Sequence, residues 1–121
     1  MQYRNLGNSN LQVSALCLGT MMFGDQTDRD EALRIVADAR AQGVNYIDTA
    51  DVYMGGKSEE LLGQVLKDRS DQILVGTKVR FPMGDGPNKQ GNSRWHIIQE
   101  CEASLKRLGR DHVDIYYLHE W

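Results

Sequence analysis

Long apolar runs are missing from this sequence. No stretch approaches the roughly 18 residues that a membrane-spanning helix requires, so no membrane partner is expected. Cysteine is scarce: Cys17 and Cys101 are too few and too far apart for a disulfide framework or a zinc knuckle, and both are expected to sit buried as small apolar residues in a reducing compartment. Charge of one sign is also lacking. The 14 basic and 17 acidic residues leave a formal charge of −3 with no block of like charge, which excludes the basic stripe of a nucleic-acid binder. The polar start, Met1 to Asn5, has no basic and then apolar region of a signal peptide, so a cytoplasmic protein is expected.

Familiar nucleotide and metal motifs are absent as well. Gly56-Lys57-Ser58 ends like a P-loop, but Asp51 stands where that loop needs glycine. No G-x-G-x-x-G follows the first strand, which weakens a dinucleotide-binding open sheet. His96, His112 and His119 lack H-E-x-x-H or Cys/His spacing, so no metal site is expected, and the first two read as solvated or capping residues.

What remains is an ordinary globular composition, 40% apolar and 26% charged over 121 residues, organised as alternating strands and helices. Tyr3–Leu6 and Leu11–Val13, joined by Gly7-Asn8-Ser9-Asn10, predict a β-hairpin. Ala15–Leu18 predicts a strand. Asp28 with Glu31 then marks a helix start, and Gly43 its end. Val44–Ile47 is the next strand, followed by a helix with Ser58 as the expected N-cap and Leu61, Leu62, Val65 and Leu66 on its buried face. Ile73–Val75 leads a strand to Lys78. Ser93 caps a third helix that buries Ile97, Cys101, Leu105 and Leu108, carries a Glu102–Lys106 pair and stops at Gly109. Val113–Leu118 is the last strand. This α/β alternation predicts parallel strands covered by helices. Four such strands suit a small open sheet or the first half of a closed eightfold barrel, which takes about 250 residues.

Three of these strands end in ionisable residues, Asp48, Lys78 and His119, and Tyr53 follows Asp48 by five positions. Parallel strands bring their carboxyl ends together, where α/β folds bind ligands. A phenol beside an ammonium suits proton donation to a carbonyl undergoing reduction. A cation about 4 Å away contributes on the order of 4 kcal/mol to a phenolate at an effective dielectric of 20. Asp48 is expected to place Lys78, and His119 to hydrogen-bond the substrate oxygen.

Leu6 to Ser14 with Leu18-Gly19-Thr20-Met21-Met22-Phe23-Gly24, Gly43 to Tyr53 with Gly55-Gly56-Lys57-Ser58-Glu59-Glu60, Thr77-Lys78, Glu102 to Gly109, and Asp114-Ile115-Tyr116 leading to His119 resemble the aldo-keto reductases, in their bacterial and potassium-channel-β-subunit-like branch. The resemblance implies that residues 1–121 are the N-terminal half of a TIM (β/α)8 barrel, with hairpin 1–14 closing the barrel bottom. It implies NADPH-dependent reduction of aldehydes or ketones, with Tyr53 as proton donor, Lys78 and Asp48 tuning it and His119 orienting the carbonyl. Gly19, Thr20 and Met21 match positions near the nicotinamide, Asp48 lies beside the ribose, and Trp121 lines the substrate pocket or covers the barrel mouth. Met54 stands where the family often has glycine. Most contacts to the cofactor phosphates lie on later strands, which this chain does not contain. The implied partners are a small carbonyl substrate and a second half-barrel, either another copy or a complementing C-terminal half. The alternatives are a non-catalytic, self-associating half-barrel and a cofactor-binding regulatory subunit.

Overall fold

The computed structural model describes residues 1–67 and 73–121. The predicted hairpin forms from β1 (Tyr3–Asn5) and β2 (Gln12–Ser14), paired antiparallel. A separate sheet contains β3 (Leu18–Gly19), β4 (Tyr46–Asp48), β5 (Leu74–Val79) and β6 (Ile115–Leu118), in sequential order and all parallel. The helices α1 (Arg29–Ala41), α2 (Lys57–Leu66) and α3 (Arg94–Leu108) connect them. A strand order that never reverses, with the right-handed crossovers that parallel strands take as a rule, lays all the helices on one face. This is the winding of a barrel wall and not of a doubly wound sheet with a switch point.

The core lies between that face and the helices: Ala32 and Val36 of α1, Ile47 of β4, Leu62, Val65 and Leu66 of α2, Val75 of β5 and Leu108 of α3 are all buried. Capping follows the sequence at two of the three helices. Asp28 accepts from the Glu31 amide and Ser93 from the His96 amide, and Gly109, at φ 64°, ends α3. The hairpin is tied to the amino ends of the strands by Asn45, which bonds Ser14 and Gln12, and by the Tyr3 hydroxyl on the Gly43 carbonyl.

Several expectations need correction. β3 is shorter than Ala15–Leu18 predicts, Cys17 just before it is exposed, and Cys101 is only half-buried. β4 starts late because the Gly43 and Val44 amides are still bonded to the carbonyls of Arg40 and Ala39 at the end of α1. Ser58 is not a cap: Gly56, at φ 96°, holds that position and Ser58 is wholly buried in the first turn. The most buried stripe of α3 is His96, Glu100, Ser104 and Leu108, one position away from the apolar stripe, whose Ile97, Cys101 and Leu105 are half-buried. That stripe faces Glu59 of α2, whose carboxylate pairs with Arg107 of α3 beside Glu100 and Ser104, so polar residues belong there. His96 is therefore a core residue, whereas His112 is solvated as expected, against Asp111. Glu102 and Lys106 are both exposed, and no ion pair joins them.

Candidate active site

The carboxyl ends of β4, β5 and β6 place Asp48, Lys78 and His119 side by side, in the register Asp48 opposite Gly76 and Lys78 opposite Tyr117. Tyr53 reaches them from the tight turn Tyr53–Gly56. The Lys78 ammonium donates to Asp48 Oδ2 at 2.6 Å, to the Thr49 carbonyl at 2.7 Å and to the Tyr53 hydroxyl at 3.1 Å. It also lies 4.7 Å from the centre of the Tyr53 ring. The His119 ring meets Tyr53 edge-on, 5.7 Å between centroids, and Phe81 at 4.9 Å. Burial, and then the nearby Lys78 cation, lower the His119 pKa from its ordinary value, against the opposing pull of Asp48 and Glu120, which favours the neutral imidazole. All four residues singled out from the sequence therefore meet.

A cavity of about 420 Å³ opens beside them, lined among others by Gly19, Thr20, Met21, Phe23, Asp48 and Tyr53. A larger hollow of about 950 Å³ lies between the carboxyl-terminal halves of α2 and α3, and none of the four catalytic candidates lines it. Trp121 is 99% exposed, so within these 121 residues it lines no pocket. Met54 takes φ 51°, the left-handed conformation that explains why a glycine suits its place.

Below the four residues lies a buried polar layer that sequence reasoning missed. Ser58 Oγ donates to the Thr20 carbonyl at 2.7 Å and meets the Thr49 hydroxyl at 3.0 Å. Glu59, fully buried, accepts from Thr77 Oγ1 at 2.5 Å and from Arg107 Nε at 2.6 Å. Arg107 also reaches Ser104 and Glu100. Asp51, two residues before Tyr53, is fully buried, and no side chain hydrogen-bonds either of its carboxylate oxygens. Burial pushes its carboxyl up to about 7, the Glu100 and Glu59 carboxylates add to this, and the Val52 amide and Arg107 oppose it. The available signal was the adjacency of Ser58 and Glu59 to the Tyr53 turn, but all their partners except Thr49 lie 18 to 48 positions away.

The family model for the aldo/keto reductase family matches residues 15–121. The chain belongs to this family. Among curated proteins, an Arabidopsis thaliana protein described as a probable voltage-gated potassium channel subunit beta is 46% identical, over 98% of this chain and 37% of its own length. The uncharacterized oxidoreductase YrpG of Bacillus subtilis is 40% identical, over 98% of this chain and 40% of its own length. Among solved structures, the holo form of the aldo-keto reductase AKR11C1 from Bacillus halodurans superposes with a TM-score of 0.83 at 39% identity, covering 98% of this chain and 40% of that one. The chain thus spans less than half the length of these relatives, and this aldo/keto reductase sheet is a partial TIM barrel. Among the described residues, no helix is long and apolar enough to cross a membrane.

Proposed function

We propose that this chain carries the proton-donating side of an NADPH-dependent carbonyl reductase that converts aldehydes or ketones to alcohols in the cytoplasm. The observation that carries the reading is one ammonium, Lys78 Nζ, bonded at once to Asp48, the Thr49 carbonyl and the Tyr53 hydroxyl, with His119 beside the same phenol. A reduced nicotinamide, when bound, supplies a hydride for the carbonyl carbon. Tyr53 gives its phenolic proton to the carbonyl oxygen as negative charge gathers there, which completes the alcohol. Lys78 steadies the phenolate left behind, and Asp48 holds Lys78 in place. His119 offers a ring N–H with which to hold the substrate oxygen in line.

Asp48, Gly19, Thr20 and Met21 would hold the nicotinamide end of the cofactor. Their cavity has room for a group of that size, offers the Asp48 carboxylate to ribose hydroxyls, and leaves open space at Gly19, where an added Cβ would meet nothing within 4 Å. No arginine or lysine is among its lining residues, so the cofactor phosphates need contacts beyond it and the preference for NADPH rests on the resemblance. The proposed partners are a small carbonyl substrate and a second half-barrel, from another copy or a complementing half. β3 and β6 are both open edges, and unpaired strand edges invite pairing.

A second reading, a cofactor-binding regulatory subunit, is favoured by the channel-subunit description of the 46% identical relative. NADPH oxidation by the purified chain with a reactive aromatic aldehyde, run beside Tyr53→Phe, separates the two. Turnover lost in the variant supports the reductase. NADPH binding without turnover in either protein supports the regulatory reading.

A further inference from the structure

We infer that Ser58 and Glu59, adjacent in the first turn of α2, are positioning residues that fix Lys78 against Tyr53. The inference rests on the reading of Tyr53 as proton donor and extends it to the layer beneath. Ser58 works towards β3 and β4. A consistent proton order runs from the Thr49 hydroxyl to Ser58 Oγ, from Ser58 to the Thr20 carbonyl, and from the Thr20 hydroxyl to the Asp48 carbonyl at 3.1 Å. This chain fixes Thr49, whose carbonyl is one of the three acceptors of the Lys78 ammonium, and it fixes the backbone of Asp48, which supplies another.

Glu59 works towards β5 and α3. Its Oε1 holds Thr77, the immediate neighbour of Lys78 on β5, and its Oε2 holds Arg107. Arg107 in turn packs against the back of the Tyr53 turn: a Cβ added at Gly56 would stand 2.9 Å from Arg107 Cδ. One dipeptide therefore sets the Lys78 strand, its carbonyl acceptor Thr49 and the turn that presents Tyr53. Ser58, Glu59, Thr20, Thr49 and Thr77 are all at most 1% exposed, so the hydrogen bonds are made in a dry layer where loss of a partner is not replaced by water.

The test uses the full chain labelled with 15N-lysine. Lys78, with three acceptors, is expected to give a resolved ammonium cross-peak at low temperature, assigned by its loss in Lys78→Arg. Ser58→Ala, and Thr77→Val which keeps the shape of the side chain, are expected to shift or broaden that signal while circular dichroism remains that of the folded chain. Thr77→Ser, which keeps the hydroxyl, is expected to retain it. In turnover, Ser58→Ala and Thr77→Val should lower kcat by about 10- to 100-fold with the aldehyde KM within about twofold, the signature of a misplaced reacting group. An unchanged Lys78 signal in the folded variants overturns the inference, as does a wild-type chain whose Lys78 gives no protected signal. If turnover is absent, or survives Tyr53→Phe, the reductase reading fails separately, and the Lys78 signal still decides whether Ser58 and Glu59 place that ammonium.

Discussion

Replacing Asp51 with asparagine isolates the cost of a buried carboxyl beneath the Tyr53 turn. The folded chain holds this group near pH 7 against an ordinary value of 3.8, mainly because burial penalises the ion. The folded state therefore binds the proton more tightly than the unfolded one, and stability falls as pH rises from about 4 to about 7, then levels off. At about 1.4 kcal/mol per pH unit the whole effect is roughly 4 kcal/mol, and the part between pH 5 and 8 is about 3 kcal/mol. Asparagine has the same shape and never ionises, so the stability of Asp51→Asn relative to wild type should rise by that amount across the same interval. Urea denaturation at pH 5, 6, 7 and 8, compared pairwise, reads the difference and cancels every other titrating group. A difference that is flat with pH would refute the reasoning, because it would mean that Asp51 ionises in the folded state as freely as in water.

Arg107→Ala should destabilise the chain by about 3–5 kcal/mol in urea denaturation, because it leaves the fully buried Glu59 without its cation. The exposed Arg34–Glu31 pair provides the contrast, and Arg34→Ala should cost less than about 1 kcal/mol. Gly63→Ala should cost about 1–3 kcal/mol, measured as a lower melting temperature, since the added Cβ would stand 2.6 Å from the Leu108 carbonyl where α2 crosses α3. Met54→Gly should instead stabilise by about 1 kcal/mol, because it relieves a side chain held at φ 51°.

The four residues Asp48, Tyr53, Lys78 and His119 were legible because each follows an apolar run at a strand end or lies in the loop just beyond, and parallel strands align such ends. Element order was legible for the same reason: periodicity and caps such as Asp28 and Ser93 are local. The buried layer was not. Patterning assumes that the inner face of a helix is apolar, yet α3 turns His96, Glu100 and Ser104 inward, and Glu100 and Ser104 both meet Arg107 where it pairs with Glu59 of α2. An ion pair spanning 48 positions leaves no mark in local spacing. Ser58 was misread for a related reason. Serine near a helix start is ordinarily a cap, but the left-handed Gly55 and Gly56 already turn the chain into α2, which frees the Ser58 hydroxyl to face inward.

The most direct test of the central claim follows a label. The chain is incubated with NADPH carrying deuterium on the transferable face of C4 and with an aromatic aldehyde, and the alcohol is examined by mass spectrometry. Deuterium on the carbinol carbon with wild type, and no labelled alcohol with Tyr53→Phe, is the result expected if hydride delivery and the Tyr53 proton meet at this site. Unlabelled alcohol, equal labelling in the variant, or no alcohol from either protein would contradict the claim that these residues carry the reduction.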